Sequence, residues 1–110
     1  MRKARILLHE TFCGILTEDD MGYTFIYDAA YLNDNDAEQL GIAFPLQKEP
    51  FRSNILFPFF DGLIPEGWLL DVAERNWKIR RNDRMGMLLT CCKDCIGAVS
   101  VEPIEEVEER

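Results

Sequence analysis

Lys3-Ala4-Arg5-Ile6-Leu7-Leu8, the pair His9-Glu10, and Thr11-Phe12-Cys13-Gly14-Ile15-Leu16-Thr17 decide the fold. Ile6, Leu8, Phe12 and Ile15 supply apolar side chains on two short extended runs, and the two residues between them suffice for a hairpin turn. The reading gives strands over residues 3–8 and 11–17. Beyond the acidic turn Glu18-Asp19-Asp20-Met21-Gly22, Tyr23-Thr24-Phe25-Ile26-Tyr27 has the aromatic and β-branched composition of a third strand over residues 22–27. Sequential strands joined this closely pair antiparallel.

Outward from that meander the signals shorten. Asp28 to Leu32 fits one helical turn. Asp36 is placed to cap a short helical turn through Leu40 that Gly41 would end. Ile42-Ala43-Phe44-Pro45-Leu46 reads as a strand that Pro45 pushes toward a sheet edge, and Phe51-Arg52 as another short strand. Ser53 is placed to cap a helix through Phe60; either Pro58 distorts that helix, or the helix begins near Phe57 with Pro58 in its first turn. Gly62 ends it. Pro65 fits the first position of a new helix, with Glu66 favourable against its dipole. Leu69, Leu70, Val72, Ala73 and Trp77 then share one apolar arc, Asp71, Glu74 and Arg75 lie opposite, and Trp68 falls at the arc's edge. A further helix is predicted from Asp83 to Cys92, with Asp83 or Asn82 as its cap and Met85, Leu88, Leu89 and Cys92 on one face. A strand from Gly97 to Val101 closes the sheet. The expected class is α+β: a small, antiparallel, curled sheet of about five to six strands with about three helices packed against it.

At 110 residues and 47% hydrophobic composition, one small domain with one modest core is expected. Its span is residues 1–103, and 104–110 form an acidic, disordered tail. The nonapeptide Glu102 to Arg110 carries five Glu against one Arg, half of the formal net charge of −8. An acidic chain is a poor match for nucleic acid, so no direct nucleic-acid contact is expected. Neither a membrane span nor a signal-peptide core is present in the sequence, and a cytoplasmic protein follows. One local exception to the acidity is Arg75, Lys78, Arg80, Arg81 and Arg84 around Trp77. It reads either as a solvated helix end or as a patch for an acidic protein surface or phosphate.

Four cysteines without an export signal read as free thiols. Cys92-Lys93-Asp94-Cys95 is formally C-x-x-C, but the two further ligands of a zinc site are not in place, so no metal is expected. No glycine-rich phosphate loop, catalytic loop or Mg²⁺ site occurs. The lone His9 has no adjacent nucleophile, so neither catalytic residues nor a cofactor are expected and the chain reads as no enzyme.

Two further segments carry a family likeness. Phe57-Pro58-Phe59-Phe60-Asp61-Gly62-Leu63-Ile64-Pro65-Glu66-Gly67-Trp68, followed by Asp94-Cys95-Ile96-Gly97-Ala98-Val99-Ser100-Val101, resembles the N-terminal subdomain of HipA-type serine/threonine kinases. Those kinases are toxins of bacterial toxin–antitoxin systems. The likeness runs from about Ala4 to Pro103 and includes Phe44-Pro45-Leu46-Gln47. It implies a small antiparallel sheet with helices, docked on a kinase body. The sequence stops before any kinase motif, so it looks like the separately encoded form, the HipS class of three-component HipBST-like systems. The resemblance then implies an antitoxin that binds and neutralises a HipT/HipA-like kinase, in a complex that includes a HipB-like DNA-binding protein. The alternative is an accessory module that stabilises the kinase or bridges it to that DNA-binding partner. Expected partner-binding residues are Pro65, Glu66, Gly67, Trp68, Asp71 and Arg75, with Trp68 as the anchor. A tryptophan at a helix start, beside a glycine that leaves its flank bare, is placed to enter a pocket.

Overall fold

The computed structural model describes residues 2–64, 83–91 and 98–104. Strands β1 (Arg2–Leu8), β2 (Thr11–Asp19), β3 (Gly22–Tyr27), β4 (Phe51–Ser53) and β5 (Val99–Ile104) form one open antiparallel sheet in the order β4-β3-β2-β1-β5. Among the described residues there are three helices: α1 (Ala29–Leu32), α2 (Pro58–Asp61) and α3 (Arg84–Cys91). The class is α+β, as the alternation pattern predicts. The predicted helix from Pro65 with its Leu69–Trp77 arc, the Cys92–Cys95 motif and residues 105–110 lie outside the described residues.

The first three strands follow the meander closely. His9 and Glu10 adopt φ of 52° and 69°, the left-handed conformations that a two-residue type I′ hairpin turn requires. At the other end of β2, Gly22 has φ +130°, and a Cβ there would collide with the Ser53 carbonyl oxygen. Between Ile6 and Leu7 the register slips: Ile6 faces Gly14 while Leu7 faces Phe12, so Cys13 is the extra residue of a bulge. The bulge puts both Cys13 and Gly14 on the buried side. At Gly14 a Cβ would stand 2.7 Å from the Phe25 ring, so the glycine makes room for that ring.

All the large buried side chains form one cluster on one face of the sheet. Ala4, Ile6, Leu16, Phe25 and Val101 project from the strands, and Phe60, Met85, Met87 and Leu88 meet them from α2 and α3. Phe25 is at its centre, with ring centroids of Tyr27, Phe44 and Phe60 at 5.0, 5.1 and 5.7 Å. Each buried phenylalanine contributes about 2–3 kcal/mol by leaving water, and edge-on ring pairs add about 0.5–1.5 kcal/mol each.

Four predicted elements differ from the structure. Ile42–Leu46 is not a strand. Phe44 instead turns inward, its N–H donating to the Gly41 carbonyl at 3.0 Å, because β4 already occupies the free edge of β3 and Pro45 has no N–H to offer a ladder. Asp36 caps no helix: Asp34 accepts its N–H at 2.9 Å, and an Asx turn replaces the predicted helical one. Ser53 ends β4, and its hydroxyl accepts the Ile55 N–H rather than capping a helix. Helix α2 instead starts at Pro58 after Phe57, the second arrangement expected for this proline, whose missing N–H costs nothing in a first turn. Strand β5 runs on to Ile104 rather than stopping at Val101, and as an edge strand it tolerates Pro103.

Residues 33–50 contain no regular element, yet two tyrosines pin the first half of this loop. The Tyr27 hydroxyl accepts the Leu40 N–H at 2.8 Å and donates to the Phe44 carbonyl at 2.5 Å. The Tyr31 hydroxyl accepts the Glu38 N–H at 3.0 Å and donates to the Glu38 carbonyl at 2.6 Å. Their rings lie nearly parallel, with centroids 6.0 Å apart. Side-chain hydroxyls thus satisfy backbone groups that a sheet ladder would otherwise have satisfied.

Candidate functional site

The residues predicted to contact a partner, Pro65, Glu66, Gly67, Trp68, Asp71 and Arg75, all lie outside the described residues. The structure describes the two points between which that segment is strung. On the entry side α2 is closed by Gly62, whose N–H donates to the Pro58 carbonyl at 2.9 Å. Leu63 then packs half-buried on the core and Ile64 is buried. The apolar middle of the G-L-I-P-E-G stretch therefore serves the core.

On the exit side two charged residues tie α3 down. Arg84 Nε donates to Asp61 Oδ1 at 2.6 Å, joining the start of α3 to the end of α2. Asp83 receives Arg2 in a forked pair, Nη2 to Oδ1 at 2.7 Å and Nη1 to Oδ2 at 3.1 Å. Its Oδ1 also accepts the Gly86 N–H, which is the predicted capping role. Arg2 Nε donates to Glu18 Oε1 at 2.6 Å, and the Tyr23 hydroxyl donates to Glu18 Oε2. One arginine thus links β1, β2 and the start of α3. The Arg2 guanidinium holds the Asp83 carboxyl below its ordinary value of 3.8, while Asp83 and Glu18 raise Arg2. Stability drawn from Asp83 is therefore complete above pH 3.8 and is lost as pH falls through its lowered value. All these groups are partly exposed, so each pair is worth at most about 1 kcal/mol. No sequence signal pointed to Arg2 and Asp83 as partners, because 81 residues separate them.

The described residues hold little that does chemistry. No Asp, Glu, Lys, Arg or His is buried among them, and no group of three His, Cys, Asp or Glu is gathered to hold a metal. Burial, with Asp28 nearby, pushes the Cys13 thiol up to about 12, which leaves no thiolate at neutral pH. His9 lines a shallow depression with Thr11, Tyr31 and the acidic residues Asp34, Asp36 and Glu38. No helix among the described residues is long and apolar enough to cross a membrane.

Comparison with known proteins places this geometry. The HipA N-terminal domain family matches residues 4–102. A protein of Haemophilus influenzae, described only as uncharacterized, is 33% identical over 102 residues, which cover 93% of this chain and 92% of that one. Among solved structures, the N-terminal domain of HipA toxin superimposes with a TM-score of 0.71 at 29% identity, covering 96% of this chain and 95% of the other.

Proposed function

The chain belongs to the HipA N-terminal domain family, and from that premise we propose that it is a binding protein that docks on a HipA-like kinase and neutralises it. The observation that carries this reading is the match, end to end, to a structure that is itself the N-terminal domain of HipA toxin. A domain of this family does its work by contact with a kinase body.

The contacting residues in this proposal are Pro65, Glu66, Gly67, Trp68, Asp71 and Arg75, with Trp68 entering a pocket of the kinase. Asp61–Arg84 and Arg2–Asp83 then act as the frame that fixes both ends of this segment. A HipB-like DNA-binding protein is proposed as a third member of the complex, and the protein works in the cytoplasm without a cofactor.

Co-expression with a HipA-like kinase from the same genome tests the proposal through growth. The wild-type protein is expected to restore growth, and Trp68→Ala to lose most of that rescue while its thermal melt stays unchanged. Stable co-purification with no relief of toxicity would support an accessory, stabilising role instead. Absence of any complex would defeat both.

A further inference from the structure

The sheet has a second face, and its composition is unusual for one turned to solvent. Side chains of Leu7, Phe12, Ile15 and Ile26 point away from the core cluster. Leu7 faces Phe12 across β1 and β2, and Ile15 faces Ile26 across β2 and β3. The bulge at Cys13 keeps Phe12 and Ile15 on the same side, so the four form one contiguous apolar strip. Ile26 is 44% exposed and the other three are half-buried. Antiparallel sheets usually alternate apolar inside with polar outside, and three sequential strands break that rule at adjoining positions.

The flanks of the strip are charged. Arg5 lies 4.8 Å over the Phe12 ring, Lys3 faces Thr17 one row away, and Arg52 faces Thr24 on β4. Glu102, opposite Arg5, and Asp19, at the end of β2, are the acids on this face. Among the described residues of this face, three cations against two acids stand out in a chain whose formal charge is −8.

We propose that this face is a second docking surface for the kinase, and that its occupant is an amphipathic helix with an apolar stripe flanked by Asp or Glu. This inference rests on the kinase-binding reading above. A sheet face is covered by a helix, whereas a strand would add at an edge. Apolar side chains at the centre with charges at the rim are the anatomy of a protein interface. A phosphate polymer or anionic bilayer fits worse, because three cations cannot offset the repulsion of an acidic chain.

Calorimetric titration of the purified protein with a HipA-like kinase from the same genome, at about 50 and about 300 mM salt, tests it. Ile26→Asp adds a charge to the strip without touching the core and is expected to weaken binding at least about tenfold. Arg52→Glu is expected to weaken it about three- to tenfold at the lower salt and much less at the higher, where surface charge is screened. Both variants should melt as wild type does. If the wild type binds and both variants match it within about twofold, this surface is not used and the proposal is overturned, while the kinase-binding reading survives. If the wild type does not bind the kinase, both fall. Sedimentation with phosphatidylglycerol vesicles is the remaining arm: binding by wild type but not by Ile26→Asp would overturn the proposal in favour of a membrane.

Discussion

Phe25 and Ile26 are consecutive residues of one strand, yet Phe25 is fully buried and Ile26 is 44% exposed. They stand for the two faces of the sheet. Around Phe25 every apolar group has a covering partner, including four aromatic rings and a glycine that clears space for it. Around Ile26 an apolar strip of similar character has none among the described elements, and charged residues border it. The difference teaches that hydrophobicity alone does not locate this core. The cover of one face comes from α2, α3 and the inward-turning Phe44, all far away in sequence.

The sharpest way to break the contrast is at its inner member. Phe25→Ala removes the ring at the centre of the cluster and is expected to cost about 3–5 kcal/mol, enough to leave so small a domain largely unfolded. A cooperative melt close to wild type would mean that the cluster is not the source of stability.

Next in size is Tyr27→Phe, which keeps the ring and deletes the hydroxyl. The Leu40 N–H and Phe44 carbonyl would then be left buried without a partner, at about 1–3 kcal/mol. Hydrogen exchange at the Leu40 amide should accelerate more than the global loss explains. Exchange that tracks global stability alone would show that the tyrosine does not pin the loop locally.

Cys13, on the inner side, gives a pH signature. Its thiol ionises near 9.0 when unfolded but only near 12 when folded. Between those values the unfolded state gives up its proton first, so folding stability falls as pH rises, by about 1.4 kcal/mol per pH unit. Tyr23, Tyr27 and Tyr31, raised by burial from 10.0, add to the slope at higher pH. Denaturant melts of Cys13→Ala between pH 9 and 10 should be flatter than those of wild type. Identical slopes would place the thiol in contact with water.

The smallest expected effect belongs to the outer member. Ile26→Ser should change stability by no more than about 0.5 kcal/mol, because a half-exposed side chain on an uncovered face gives up little. A loss of several kcal/mol would show that the strip is covered within the chain, and the contrast between the two faces would dissolve.

The meander was legible because its information is local. The apolar Ile6, Leu8, Phe12 and Ile15, the aromatic and β-branched run from Tyr23 to Tyr27, two residues at one turn and Gly22 at the other specify three strands and their order with no reference to the rest of the chain, though not which face is buried. Helix α3 was readable for the same reason, through the periodicity of Met85 and Leu88. Between Asp36 and Ser53 the short strand at Phe51-Arg52 was read correctly, but the rest was misread because local propensity there is weak and long-range partners decide. Phe44 looks like a strand residue until the Phe25 cluster claims it, and Ser53 looks like a cap until β3 pairs with it. At the candidate site, Pro65 to Arg75 was singled out by its own composition, whereas the ion pairs framing it were invisible in the sequence.

By itself, then, the sequence determined the antiparallel meander, the α+β class, the family and the acidic character of the chain. Each of these is written in spacing, motif or composition. Only the tertiary structure decided which apolar face of the sheet is buried, how Arg2 reaches Asp83, and that two tyrosine hydroxyls stand in for a ladder between Glu38 and Phe44. Those outcomes depend on groups brought together across tens of residues, and burial and hydrogen-bond satisfaction are settled only once the chain has closed on itself.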